Sequence, residues 1–103
     1  MEKIVRFSTP TIKVTYKTID PANISEAYLI VLDESTTVLT KEIAAAEIGD
    51  NYIAWTLSQS DTGKLTVGST VKICCDWKLE NGTRGRSVMK EYWVAETGVN
   101  EVI

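Results

Sequence analysis

Apolar and polar residues change places at every second position along most of this chain. Ile12, Val14 and Tyr16 alternate with Thr11, Lys13, Thr15 and Lys17. The longest run lies between Val71 and Leu79, where Val71, Ile73, Cys75, Trp77 and Leu79 interleave with Lys72, Cys74, Asp76 and Lys78. Neighbouring side chains of an extended strand point to opposite faces, so this period gives each segment one apolar and one polar face. A helix needs a period near 3.6 and cannot use such a pattern. The alternation predicts strands over 11–17, 36–42, 52–57, 71–79 and 83–95, with 43–48 undecided between a strand tail and a single turn. The segment from Glu26 to Asp33 differs, because Ala27 to Leu32 is apolar throughout. A short run of this kind, rich in β-branched and aromatic residues, predicts a central strand covered on both faces.

Turn residues punctuate these segments. Asp20-Pro21-Ala22-Asn23, Asp33-Glu34-Ser35 and Gly49-Asp50-Asn51 each break the pattern. Ser58 with Asp61 three places on has the form of a helix N-cap, although Asp is shorter than the Glu or Gln of the usual capping box. With Gly63 as a stop, the spacing predicts one helical turn over 59–63 with Leu65 beneath it. Asn81-Gly82 marks a hairpin, and its loop length follows from parity. A two-residue loop would set Arg84 opposite Leu79 and Arg86 opposite Trp77, on the apolar face. A three-residue loop, Glu80-Asn81-Gly82, instead pairs Leu79 with Thr83, Trp77 with Gly85, Cys75 with Ser87 and Ile73 with Met89, and brings Asp76 to face Arg86. A slip of one residue inverts every side chain, so the longer loop is preferred. Carried to the end of the strand, this register puts Met89 and Trp93 in the core and turns Tyr92 outward, with Glu91 the one misplaced charge.

Six to seven short strands, with no helix long enough for a parallel crossover, predict an all-β fold. The expected architecture is an antiparallel β-sandwich, immunoglobulin-like in its layers, forming a single domain over 1–103; a small barrel is the alternative. No apolar stretch approaches the ~20 residues of a membrane helix. The opening residues MEKIVRF lack the layout of a signal peptide, so the chain is expected to be made in a cytoplasm and to stay there unless another machine carries it out.

The chain has no histidine. That removes the commonest general base near neutral pH and the commonest metal ligand, and with them Ser-His-Asp and Cys-His schemes. Its two cysteines, Cys74 and Cys75, are adjacent. Side by side on a strand they point apart, which favours two small, weakly polar side chains in a reduced compartment over a vicinal disulfide switch. Carboxylates fall mostly at turns (Asp20, Asp33, Glu34, Asp50) or at outward positions (Asp76), as solvated groups do. The glycines match no phosphate-binding pattern. A net charge of −3 with scattered basic residues argues against nucleic acid. No catalytic, metal or cofactor residue is assigned, and no small-molecule ligand is expected. Arg84 and Arg86 beside the hairpin tip, and an outward Tyr92, are the candidate protein contacts, since Arg and aromatic residues favour interfaces.

One segment also resembles a known group. The run from Ile53 to Leu65, a strand followed by Leu57-Ser58-Gln59-Ser60-Asp61-Thr62-Gly63-Lys64-Leu65, is similar to a strand and "LTQ-x-x-T-x-x-(L/F)" step of small proteins encoded among the structural genes of phages and prophages of Gram-positive gut bacteria. Thr11 to Lys17 resembles their opening strand and Leu39-Thr40-Lys41 their "LTK" step. Trp77 with Asn81-Gly82-Thr83-Arg84 and Ser87 resembles their hairpin, and Glu101-Val102-Ile103 their chain end. More loosely, the chain is reminiscent of the N-terminal domains of baseplate upper proteins. Ser58 stands where those proteins more often carry Thr. The resemblance spans about Pro10 to Ile103. It implies a β-sandwich without enzymatic activity, part of a virion or its tail. The implied partners are other phage structural proteins or further copies of the chain, with exposed sheet edges as docking strips, and with neither nucleic acid nor a membrane. A carbohydrate-binding module using exposed aromatic rings is the rival expectation.

Overall fold

The alternating segments pair into two sheets. The computed structural model describes residues 2–87 and 89–96. Nine strands lie among them: β1 (Glu2–Val5), β2 (Thr11–Thr15), β3 (Ile24–Asp33), β4 (Thr36–Glu42), β5 (Glu47–Ile48), β6 (Tyr52–Thr56), β7 (Thr70–Leu79), β8 (Arg84–Arg86) and β9 (Lys90–Ala95). One sheet has the order β1-β9-β7-β3-β4, with β8 also on β7; the other has the order β2-β6-β5. Ile12, Ile53 and Trp55 from the small sheet share one buried cluster with Leu29, Val31, Ile73, Cys75 and Val94 from the large one. The two sheets therefore pack as a sandwich. Burying each such side chain contributes roughly 1.5–3 kcal/mol. Trp55 also satisfies its ring nitrogen across the layers, donating to the Glu42 carbonyl at 3.0 Å.

Nine strands exceed the six to seven expected, for three local reasons. The opening residues pair as β1, whose parallel ladder on β9 sets Ile4 beside Val94; four residues are too few for a period to show. The ambiguous 43–48 segment divides into a 3-10 turn over Ile43–Ala45 and the two-residue β5. The returning arm of the hairpin is broken into β8 and β9.

The hairpin loop is the three-residue one. Trp77 pairs with Gly85 and Asp76 with Arg86. The Leu79 N–H donates to the Thr83 carbonyl at 2.7 Å, and the Gly82 N–H to the Leu79 carbonyl at 2.9 Å. Gly82 has φ +92°, a left-handed conformation that costs other residues a clash at Cβ. Past Ser87 the register changes. Ile73 pairs with Lys90 rather than Met89, and Val71 with Tyr92. The pairing of β9 with β7 is offset by one residue from that of β8, and the faces invert. Tyr92 is thus buried at 7% exposure, whereas Trp93 is 46% and Met89 37% exposed. This reverses the expected outward Tyr92 and inward Met89 and Trp93. It also removes the misplaced charge, because Glu91 now stands opposite Lys72.

The helical turn forms as α1 (Gln59–Gly63) with a complete capping box: the Ser58 side chain accepts from the Asp61 N–H, and Asp61 accepts from the Ser58 N–H. Leu65 is buried next to it.

Candidate interaction surface

Strand β3 lies centrally between β4 and β7, but its apolar run is only half covered. Ala27, Leu29 and Val31 face the core and are buried. Tyr28, Ile30 and Leu32 point the other way; Tyr28 is 37% exposed and Ile30 and Leu32 are half-buried. The expectation of cover on both faces therefore fails on the outer face of the large sheet.

At one end of that face the register lines up two polar rows. Tyr28 on β3 stands opposite Asp76 on β7, which stands opposite Arg86 on β8. In the next row Glu26 stands opposite Lys78, and Lys78 opposite Arg84. These residues, with Gly85 and Trp77, line an open groove of about 440 Å³. The Trp77 ring itself packs over Gly85 on the core side of the sheet, where a Cβ at position 85 would come within 2.2 Å of it. The other edge of the Trp77 ring system meets Tyr16 in a T-shaped contact, centroids 6.3 Å apart.

The two candidate arginines differ in state. Arg86 grips Asp76 through both its Nε and a terminal nitrogen, the latter at 2.8 Å. This hydrogen bonding holds the Asp76 carboxyl below the usual carboxylate range, against a smaller upward push from burial, and pushes the Arg86 guanidinium up. Arg84 faces the like charge of Lys78, and neither forms an ion pair among the described residues. Like charges directly opposite on neighbouring strands repel, and the carboxylate of this row, Glu26, stands opposite Lys78 on the far side from Arg84. The third candidate, Tyr92, is buried and lies outside it. Tyr28, Lys78 and Glu26 were not singled out from the sequence. Their signal was there in the unbroken apolar run of β3, which left Tyr28 with no polar role to explain.

The thiols offer little chemistry. Cys74 and Cys75 are free and buried, on opposite faces of β7. Burial pushes both thiols above their ordinary range, which leaves little thiolate, the reactive form. Cys75 is also within 3.4 Å of the Tyr16 hydroxyl, whose own proton is held more tightly because of burial and that contact. Among the described residues no group of three or more acidic or thiol side chains is placed to hold a metal ion. The one buried carboxylate among the described residues, Asp61, has a structural partner: Lys41 Nζ lies 3.0 Å away. Thus the Leu39-Thr40-Lys41 step and the Ser58–Asp61 turn, distant in sequence, meet in an ion pair. No helix among the described residues is long and apolar enough to cross a membrane.

No protein family, curated protein or solved structure matches the chain significantly.

Proposed function

We propose that this chain is a non-enzymatic structural or assembly part of a phage or prophage particle, made in the bacterial cytoplasm and working through protein–protein contacts. The observation that carries the contact reading is the outer face of β3, where Tyr28, Ile30 and Leu32 remain partly open beside Lys78 and Arg84, which form no ion pair among the described residues. An apolar strip rimmed by charge is the usual composition of a docking surface. The phage setting rests on the resemblance of the Ile53–Leu65 and hairpin segments. The strand orders support an immunoglobulin-like arrangement: β3, β7 and β9 are neighbours in one sheet and β2, β6 and β5 in the other, as strands C, F, G and B, E, D are in that fold.

The exposed rings favour protein contact over a sugar platform. Tyr28 is opposite Asp76 and Trp93 is opposite Thr70 on the same strand. Six residues of strand separate them by about 20 Å, so the two rings cannot flank one sugar. The test is size-exclusion chromatography with light scattering, on the chain alone and mixed with products of adjacent genes. A ring, a dimer or a mixed complex is expected for the native chain, and a monomer for the double variant Tyr28→Glu, Arg84→Glu with unchanged far-UV circular dichroism. A native chain that stays monomeric in every mixture overturns the reading.

A further inference from the structure

We infer that β2 is an acceptor for an added strand: its free edge and the cleft alongside it take an extended segment of a partner protein in which apolar residues alternate with acidic ones. This rests on the protein-contact reading but uses a different surface.

The ladder between β2 and β6 shows which groups are free. The Pro10 carbonyl accepts from the Leu57 N–H at 2.9 Å, and the Tyr16 N–H donates to the Asn51 carbonyl at 2.7 Å. Between them the register is unbroken, from Thr11 opposite Thr56 to Thr15 opposite Tyr52. Bonded residues recur at every second position of an antiparallel pair. Ile12 and Val14 therefore bond to β6, and the N–H and C=O groups of Thr11, Lys13 and Thr15 point away from it. No described strand pairs with that side. The other edges are less suited. β5 has two residues and β1 four, and β4 pairs across a bulge, a feature that twists an edge out of use.

Beside β2 lies a cleft of about 320 Å³, between it and the large sheet where β8 gives way to β9. Ile12, Val14, Tyr16, Ile73, Trp77 and Tyr92 give it apolar walls. A strand added about 4.8 Å from β2 would turn every second side chain toward these walls, so backbone bonds and side-chain pockets coincide, as strand addition requires. Charge selects the occupant. The charged residues lining the cleft are Lys13 and Lys90, with no carboxylate. Lys90 has Glu2 at 3.1 Å as a counter-ion outside it. Lys13 leans over the Tyr52 ring, 4.2 Å from its centroid, and so does not guard the edge as an outward lysine would. A second copy is disfavoured, because antiparallel pairing of β2 with itself about Lys13 would oppose the two lysines.

The probe is a synthetic heptapeptide alternating glutamate with valine and isoleucine, set against the same peptide with lysine in place of glutamate. In the free protein the amides of Thr11, Lys13 and Thr15 should exchange rapidly with solvent deuterium. The acidic peptide should slow them by about tenfold or more at saturation, since each would gain or adjoin a backbone hydrogen bond. Lys13→Pro removes one outward N–H without touching the β6 ladder and should abolish that protection at an unchanged melting temperature. Lys13→Glu keeps the backbone, and should weaken the acidic peptide and favour the lysine one, whether or not the proline variant folds. Slow exchange of these amides in the free monomer would mean that the chain covers its own edge, and would overturn the inference. So would equal binding of the two peptides, or no protection by either. The Tyr28→Glu, Arg84→Glu variant should bind the acidic peptide normally, so failure here and failure of outer-face assembly are separate results.

Discussion

Removing the Asp61 carboxylate tests whether the short α1 turn is held by its cap and by the large sheet. Asp61 is 5% exposed. It accepts from the Ser58 N–H at 2.9 Å and from Lys41 Nζ at 3.0 Å. Loss of a cap typically costs about 1 kcal/mol. A charge-assisted bond to a partly buried ammonium adds about 1–2 kcal/mol. Asp61→Ala should therefore lose about 2–3 kcal/mol, which is about 2–3 M in the urea midpoint at a slope near 1 kcal/mol/M. Asp61→Asn keeps an acceptor for Ser58 and should lose only the ion-pair part. Burial by itself would raise this carboxyl, but the Ser58 and Lys41 contacts outweigh it and hold it below the usual carboxylate range. A depressed folded-state value stabilises the native state above the unfolded value near 3.9 and is lost as pH falls through the folded one. The gap between the native chain and Asp61→Asn should thus be full at neutral pH and close in strong acid. Urea titrations monitored by tryptophan fluorescence at several pH values would measure it. If both variants stay within about 0.5 kcal/mol of the native chain at neutral pH, the ordinary range for surface changes, the reasoning is wrong.

The inverted register of β9 predicts opposite sensitivities for neighbouring residues: Tyr92→Ala should cost about 3–5 kcal/mol as a large buried ring and Trp93→Ala under about 1 kcal/mol. Thermal melts giving the reverse order would restore the unshifted pairing. Gly85→Val should displace the Trp77 ring, which a Cβ would approach to 2.2 Å, at about 1–3 kcal/mol; an unaltered near-ultraviolet dichroism spectrum would contradict that contact. Both thiols should resist a thiol reagent in the native chain and react fully in denaturant, since Cys74 and Cys75 are 2% and 0% exposed; rapid labelling of the native protein would show that β7 is not covered as described.

Much of this architecture was legible because its determinants are local. The turn at Gln59–Gly63 depends on Ser58 and Asp61, three residues apart, and the hairpin loop on the sign of φ that Gly82 tolerates. Parity alone chose the three-residue loop, since the alternative put two arginines on an apolar face. The same parity argument failed beyond Ser87, where a one-residue offset inverts the strand. Nothing local marks that offset: both registers bury one aromatic residue of the Tyr92-Trp93 pair, and the choice lies with Val71 and with β1 on the far side of β9. The interaction surface divides the same way. Arg84 and Arg86 were recognisable as exposed, and loop parity already set Arg86 against Asp76; only the structure shows the two-point grip between that pair and brings Tyr28 and Glu26 of β3 alongside.

The sequence by itself determined that the chain is built of strands, where most of them turn, and that histidine chemistry is absent. These follow from side-chain period, turn conformations and composition, each a property of a few neighbouring residues. Tertiary structure alone decided which faces are covered. An apolar run states that a strand can be buried on both sides, but whether a second layer arrives depends on strand order. Here the small sheet covers one side of β3 and leaves Tyr28, Ile30 and Leu32 on the other. Strand order likewise leaves β2 without a neighbour on its outer side among the described residues, because β1 pairs with β9. Hydrogen-bonding capacity is the same at every position of a strand, and only the completed sheet shows where it goes unused.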